Sequence, residues 1–444
     1  MNRTALELKF KLEARTALIA VIGLGYVGLP VAIAFHAARY PVLGFDVDSH
    51  KVKHLVAGES YIGSIPSDLV RSVIATGNFN ASSDFNRLSE ADAIIICVPT
   101  PLGRHQEPDL SFVSATITTV AAHLKIGQLV CLESTTYPGT TEEILKPAIE
   151  ASGFKVGSDV FLAYSPERED PGNKEYTTRS IPKVVGADDP ASLMLARLLY
   201  SAAVTEVVPV SSSRTAEAVK ITENIYRAVN IALVNELKLI YEAMGIEIWE
   251  VIEAAKTKPF GFSAFYPGPG LGGHCVPIDP FYLSWKAREY DLNSRFIELA
   301  GEINRSMPGH VVSRVADALS TRQQIPLAKA RILLVGVAYK KNIDDIRESP
   351  ALNILEQLER KGAQVSYHDP FVPTIPTTRE RPSLAGRQSI DFTPAALENF
   401  HAAIICADHD SVDWKTLLEA VPLLVDTRNI MSRTGLISDK IVRA

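Results

Sequence analysis

The sequence predicts an α/β protein: two Rossmann-like domains with parallel sheets, joined by a helical middle domain containing a long central helix. Three observations predict it. Over the first half of the chain, short apolar runs alternate with segments of helical period, the pattern of strands covered on both faces. A helical pattern without Pro or Gly then runs unbroken over 214–244 and is ended by Gly245. From Ala330 the alternation of strand and helix begins again. The expected domains are 1–210, 211–325 and 326–444.

In order, 17–22, 41–45, 92–98, 128–133 and 160–164 read as buried strands, and the alternation closes around 204–209. Strands that alternate with helices pair in parallel through right-handed crossovers. After the long helix come a helical stretch at 249–255, a Gly/Pro-rich loop over 259–280 and a helix pair reaching Leu319. The second alternation has a strand at 332–335, a helix over 351–361, and strands at 364–368, 402–407 and 423–426. Residues 373–388 read as an irregular surface insertion.

A chain of 444 residues suits two or three domains, and 46% hydrophobic with 22% charged residues is the composition of a globular protein. The net charge of -6 argues against a nucleic-acid or anionic-membrane surface. Cys97, Cys131, Cys275 and Cys406 lie far apart with no CxxC pair, so free thiols in a reducing compartment are expected. No ligand spacing suggests a metal. Segment 1–15 carries Glu7, Lys9, Lys11, Glu13 and Arg15, unlike a signal peptide, and no apolar run reaches membrane-spanning length. The expected location is the cytoplasm.

Gly23-Leu24-Gly25-Tyr26-Val27-Gly28 follows the first strand and opens a helix. In a dinucleotide-binding turn the first Gly makes the bend, the second admits the pyrophosphate and the third lets the helix pack closely. Asp46 ends the next strand, where a carboxylate accepts the adenine ribose hydroxyls and repels a 2′-phosphate, so NAD is expected over NADP. Lys51 is close enough in sequence to soften that selection. Pro99 and Thr100 end another strand on the same edge, and Ser134-Thr135-Thr136 a third. These are further cofactor contacts, with ordinary turns as the alternative.

The run Pro267-Gly268-Pro269-Gly270-Leu271-Gly272-Gly273-His274-Cys275 places one thiol behind glycines that permit close approach to a ligand. Two readings stand: an inert buried cysteine, or a nucleophile that traps an aldehyde as a thiohemiacetal from which a second hydride leaves. Lys220 and Asn224 are four apart and share a helix face. They suit an oxyanion and an ordered water, or an ordinary solvated face. Asp279 suits acid/base work or loop capping equally. His274, next to the thiol in sequence, reads as structural.

At these residues the chain resembles the UDP-glucose/GDP-mannose dehydrogenase family over nearly its whole length. The order of motifs carries the resemblance: the Gly23 turn, Val98-Pro99-Thr100-Pro101, Ser134-Thr135 before Pro138-Gly139-Thr140, Ser165-Pro166-Glu167-Arg168, Lys220/Asn224, 267–280, and Tyr339-Lys340-Lys341 followed by Arg347. It implies a homodimer or higher homo-oligomer built on the long helix. It also implies oxidation of a UDP-sugar CH2OH to a carboxylate by two NAD and water. In that scheme Cys275 is the nucleophile and Lys220 the oxyanion stabiliser. Asn224 and Thr135 position the reacting oxygen, Asp279 supports proton transfer, and Glu167 lies near cofactor and hydrolytic water. Arg168, Arg227, Gly270, Gly272 and Lys340 contact the substrate, and Arg347 approaches the NAD phosphates.

Two departures narrow the resemblance. Pro171 stands where UDP-glucose members carry a second Glu, and Lys258-Pro259-Phe260-Gly261-Phe262 lacks the Arg typical of UDP-N-acetylmannosamine members. The chain therefore resembles most the branch acting on UDP-N-acetylglucosamine. UDP-N-acetylgalactosamine, UDP-N-acetylmannosamine and UDP-glucose are alternatives. So are a single-oxidation dehydrogenase of the same fold with Cys275 incidental, and a non-catalytic NAD sensor.

Overall fold

Tetrads such as Ile19-Ala20-Val21-Ile22 and Ala93-Ile94-Ile95-Ile96 have no polar face to offer water, so strands built from them need cover on both sides. The structure, a computed structural model, supplies it; residues 2–63, 65–103, 107–168, 179–273, 276–378 and 381–444 are described. The chain forms two units, Met1–Glu223 with Ile278–Asn293, and Asn224–Pro277 with Ser294–Ala444. The helix Ser213–Ala243 crosses the boundary between them.

The first unit is built on strands β1 (Ile19–Ile22), β2 (Val42–Phe45), β3 (Phe79–Ser82), β4 (Ala93–Ile96), β5 (Leu129–Leu132), β6 (Phe161–Tyr164), β7 (Lys183–Gly186) and β8 (Val207–Val210). They lie in the order β3-β2-β1-β4-β5-β6-β7-β8. The first six pair in parallel. Leu8, Phe35 and Leu199, from helices Arg3–Glu13, Gly28–Ala37 and Pro190–Ser201, fill one face of the sheet. Val113, Ile117 and Val120 of helix Ser111–His123 fill the other. Each such side chain contributes roughly 1.5–3 kcal/mol on leaving water.

All five strands expected here form, shortened at their ends. The alternation closes where expected, with β8 at 207–210 as its last strand and the long helix beginning at Ser213. Two features differ from the expectation. β3 and β7 were not foreseen. The sheet is also not wholly parallel, since β7 meets β6 antiparallel through the single registered pair Tyr164↔Gly186. β8 then pairs with β7 in parallel, so both run against the other six strands.

The second unit carries β9 (Arg331–Val335), β10 (Gln364–His368), β11 (Ala402–Ile405), β12 (Leu424–Asp426) and β13 (Ile441–Arg443), all parallel, in the order β10-β9-β11-β12-β13. Helix Pro350–Arg360 buries Ile354, Leu355 and Leu358 against one face. Trp414 and Leu417 cover the other. The same unit holds helices Ile248–Lys256 and Arg295–Gln323, while Asp279–Ala287 belongs to the first unit. Among the described residues no helix is long and apolar enough to cross a membrane.

Candidate functional site

At the end of β1 the chain turns through Gly23 (φ 91°), whose N–H donates to the Phe45 carbonyl at 2.8 Å. A Cβ on Gly23 would stand 2.6 Å from the Cys97 carbonyl oxygen, and one on Gly28 only 1.8 Å from the Gly23 oxygen. On Gly25 it would meet nothing within 4 Å. Backbone contact thus requires the first and third glycines, while the second borders open space that a side chain would fill. The helix Gly28–Ala37 starts at this space with no side-chain cap, leaving its first N–H groups for an anion. Tyr26 and Val27 pack half-buried beside it.

Asp46 stands where the sequence places it, buried just beyond β2. Its carboxylate accepts the Leu24 N–H at 3.0 Å and the Asp48 N–H at 2.9 Å. Lys51 approaches it at 3.3 Å, so this lysine pairs with the carboxylate rather than standing free for a phosphate. Amide donors beside a gap and a carboxylate at the second strand end fit the pyrophosphate and ribose of a dinucleotide.

Along the same edge Pro99 is exposed and Thr100 buried. The Thr100 hydroxyl donates to the Thr135 carbonyl at 2.7 Å, and Ser134 donates to the Val98 carbonyl at 2.7 Å, so these hydroxyls bind two strand-end loops together. Thr135 is left half-buried at the end of β5. The Tyr282 hydroxyl donates to the Thr100 carbonyl, which ties the helix Asp279–Ala287 to this edge.

The reversed strand adds a cluster that sequence reasoning missed. Continuing the Tyr164↔Gly186 register brings Lys183, the first residue of β7, level with Glu167 beyond the end of β6. The Lys183 ammonium bonds Glu167 at 2.9 Å and Glu133, at the end of β5, at 2.8 Å. Tyr200 donates to the other Glu133 oxygen at 2.6 Å. Burial pushes the Glu133 carboxyl up, Lys183 pulls it back and Glu167 adds to the rise. For Lys183, burial favours the neutral amine, but the two carboxylates outweigh it and hold the ammonium above its ordinary range. The only sequence signal was a lysine opening the run Val184-Val185.

Lys220 and Asn224 are both buried, which removes the solvated-face reading. They stand one turn apart on Ser213–Ala243, Lys220 in the first unit and Asn224 in the second. One turn before Lys220, Glu217 accepts the N–H of Gly139 at 2.5 Å and the N–H and hydroxyl of Thr141 at 2.9 and 2.7 Å. That fastens the long helix to the loop after Thr135. Burial raises the Glu217 carboxyl to about 7, against the pull of those donors. Asp279 is buried in the first turn of its helix, where the dipole favours a carboxylate. Burial and then the charges of Glu217, Asp279 and Glu133 push the Tyr164 phenol far up, which puts Asp279 near this edge as well.

Arg168 is engaged: its guanidinium pairs with Glu223 at 2.5 Å and donates to the Pro182 carbonyl at 2.6 Å. Arg227 is exposed on the long helix. In the second unit, Asn235 accepts the Gly268 N–H at 3.0 Å and bonds Asn304 at 2.9 Å, holding the start of the glycine-rich loop. A Cβ on Gly272 would lie 2.5 Å from the Tyr339 side chain, and one on Gly270 3.1 Å from Pro350. At those two positions the missing side chains admit protein. Lys340 is half-buried, and the Arg347 guanidinium is gripped by Asp345 at 2.6 and 3.0 Å.

His274 and Cys275 lie outside the described residues, as does Pro171. The other three thiols are buried. Burial raises Cys131 and Cys406 to about 12 and Cys97 well above its ordinary range, so none of them supplies a thiolate near neutral pH.

A glycine turn at a helix start, a carboxylate on the next strand and a stock of buried acids and lysines along one sheet edge define a dinucleotide-binding protein equipped for proton transfer. The chain matches three domains of the UDP-glucose/GDP-mannose dehydrogenase family: the NAD-binding domain over residues 17–204, the central domain over 214–306 and the UDP-binding domain over 333–433. It belongs to that family, and it is an NAD-dependent nucleotide-sugar dehydrogenase. It is 38% identical over 357 residues to UDP-N-acetyl-D-glucosamine 6-dehydrogenase of Pseudomonas aeruginosa, covering 80% of this chain and 83% of that protein. It is 35% identical over 421 residues to UDP-N-acetyl-D-mannosamine dehydrogenase of Pyrococcus horikoshii, covering 93% and 96%. The solved structure of a UDP-D-ManNAc dehydrogenase from Pyrococcus horikoshii superposes with a TM-score of 0.86 at 33% identity, over 96% of this chain and 98% of that one.

Proposed function

We propose that the chain oxidises the C6 hydroxymethyl of UDP-N-acetylglucosamine to the carboxylate of UDP-N-acetylglucosaminuronate, through a thioester on Cys275. The observation that carries the chemistry is burial. Lys220 and Asn224 are withdrawn from solvent on one helix, and every other cysteine is too deeply buried to ionise. The Gly23 turn and Asp46 would hold NAD, which would supply the hydride acceptor for each oxidation. Lys220 stabilises negative charge on the reacting oxygen, which Asn224 and Thr135 hold in place. Cys275 adds to the aldehyde carbon as a thiohemiacetal, and loss of the second hydride gives the thioester. Water then cleaves it, its proton passing toward Asp279 or Glu167 and the thiolate leaving. Arg168 contacts the sugar nucleotide only by releasing Glu223, and Arg227, Lys340, Gly270 and Gly272 complete the proposed substrate contacts. Pro99, Thr100 and Arg347 are proposed beside the cofactor. The modules proposed are 1–210, 211–325 and 326–444, acting in the cytoplasm.

Likeness to the Pseudomonas aeruginosa enzyme and the absence of an Arg in 258–262 support the N-acetylglucosamine reading. Likeness to the Pyrococcus horikoshii protein favours N-acetylmannosamine as the second. Incubation with each of UDP-N-acetylglucosamine, UDP-N-acetylgalactosamine, UDP-N-acetylmannosamine and UDP-glucose, followed by NADH yield and product mass, decides. The expected result is two NADH per UDP-N-acetylglucosamine, with Cys275→Ala slower by on the order of 10³-fold or more. One NADH per sugar at undiminished rate in Cys275→Ala would sink the thioester. A higher kcat/KM on another sugar would move the assignment to it.

Assembly is proposed through the long helix. Tyr226, Leu233 and Ile240 are large apolar side chains exposed along it and spaced by whole heptads, and Met244, just past its end, is exposed as well. A homodimer mass by light scattering is expected, and a monomer at micromolar concentration would refute it.

A further inference from the structure

The second unit contains a cavity of 490 Å³ between the C-terminal turns of Ser213–Ala243, the helix Arg295–Gln323 and the β12–β13 end of the sheet. Its size is that of a small-molecule site. Lys238 and Glu242, four apart on the first helix, face His310 and Arg314, four apart on the second. Among the described residues, six buried side-chain polar atoms have no hydrogen-bond partner; Lys238 Nζ, Arg314 Nε and Asn429 Oδ1 belong to residues that line this cavity, and two more, Glu242 Oε2 and His310 Nε2, face each other at 3.6 Å. The sixth, on Thr136, lies in the other unit. Native proteins rarely leave such atoms unmet, and a concentration of them marks a place where a polar occupant belongs.

The charges say what kind of occupant. Lys238, Arg314, Arg322 and Arg443 line the cavity against Glu242, Glu247 and Asp426. Two acids and two cations offset one another, Glu242 bonding Arg314 at 2.9 Å and Glu247 pairing with Arg443, which leaves Arg314 its unmet Nε, while Asp426 accepts the N–H groups of Arg428 and Met431, each at 2.9 Å. Lys238 has no such partner. Burial pulls its amine down to about 8, with Arg314 adding to the fall and Glu242 and Asp426 opposing it. Lys183, as deeply buried, is met by two carboxylates. Asn429 Oδ1, an unmet acceptor lining the cavity, calls for a donor on the same occupant, whereas Glu242 Oε2 already faces His310 Nε2 at 3.6 Å.

We propose that this cavity is a binding site for a small hydroxylated oxyanion, a phosphate or a carboxylate, held by Lys238 and Arg314 with a hydroxyl on Asn429. It is separate from the residues assigned above to oxidation, and stands whichever sugar is the substrate. The test titrates the full-length protein, kept saturated with NAD, with glycerol 3-phosphate, glycerate and neutral glycerol by calorimetry. The first two probes share a hydroxylated frame and distinguish phosphate from carboxylate. At least one anion is expected to bind, glycerol not to, and Lys238→Met to weaken the anion by about tenfold or more. Asn429→Asp, a near-isosteric change that adds a negative charge, is expected to weaken it as well. Lys238→Met removes an unpaired buried charge, so its unfolding temperature should be no lower than the parent's. Absence of binding by both anions, binding of glycerol equal to theirs, or anion affinity unchanged in both variants would each overturn the proposal.

Discussion

The two sheets of this protein make the same turn and use it differently. After β1 the chain bends at Gly23, and Asp46, beyond β2, accepts the Leu24 N–H. After β9 it bends at Gly336 (φ 82°), and Asp369, beyond β10, accepts the Val337 and Ala338 N–H groups at 2.7 and 3.0 Å. The first turn continues through Gly25 into open space. The second continues through Val337 and Ala338, both buried. Asp369 is also closed from the far side by His409, whose Nδ1 accepts the Asn342 N–H, leaving Nε2 to donate to the carboxylate at 3.1 Å. One βα turn can therefore be a ligand cradle or a piece of core, and the residues that fill the gap decide which.

Exchanging the glycines should give the largest effects. Gly28→Ala drives a Cβ into the Gly23 carbonyl and is expected to weaken NAD on the order of 100-fold, read by fluorescence titration. Gly336→Ala, which strains a positive φ and crowds Ala407 at 2.6 Å, is expected to lower stability by about 3 kcal/mol while NAD affinity holds. Loss of NAD binding in the second variant would erase the contrast. The aspartates should separate in the same sense with smaller effects. Asp46→Ala is expected to weaken NAD about tenfold and NADP less. Asp369→Asn should leave NAD binding alone and cost roughly 2 kcal/mol of stability in urea.

A smaller effect sharpens the comparison through pH. Burial pushes Asp369 up, but His409 and the backbone N–H groups outweigh it and hold the carboxyl below its ordinary 3.8. Its contribution is therefore fully present above the unfolded value and is lost as pH falls through the folded one. Between about pH 5 and about pH 3, stability of the parent should fall more steeply than that of Asp369→Asn. Parallel curves would mean that the His409 contact is idle.

Strands covered on both faces were legible because burial leaves nothing but apolar residues, as in β4 and β11. Edge strands were not. In β3 only Phe79 is buried, and β8 has Val208 and Pro209 exposed, so neither shows a period. The Gly23 turn and Asp46 were legible because their spacing is local. The Glu133, Lys183 and Glu167 cluster was not, since its members meet only after a strand reverses direction. That Lys220 is buried could not be read from a helix pattern in which lysine ordinarily faces water.

The reversal at β7 also leaves a seam in the first sheet. Every other neighbouring pair there is in register over four residues, but β6 and β7 share one. What the backbone ladder omits, side chains supply: Ser165 donates to the Val184 carbonyl, and Lys183 stitches its own strand to the ends of two others. The same ammonium that sets the charge of the edge is thus a rivet across the sheet's weakest line.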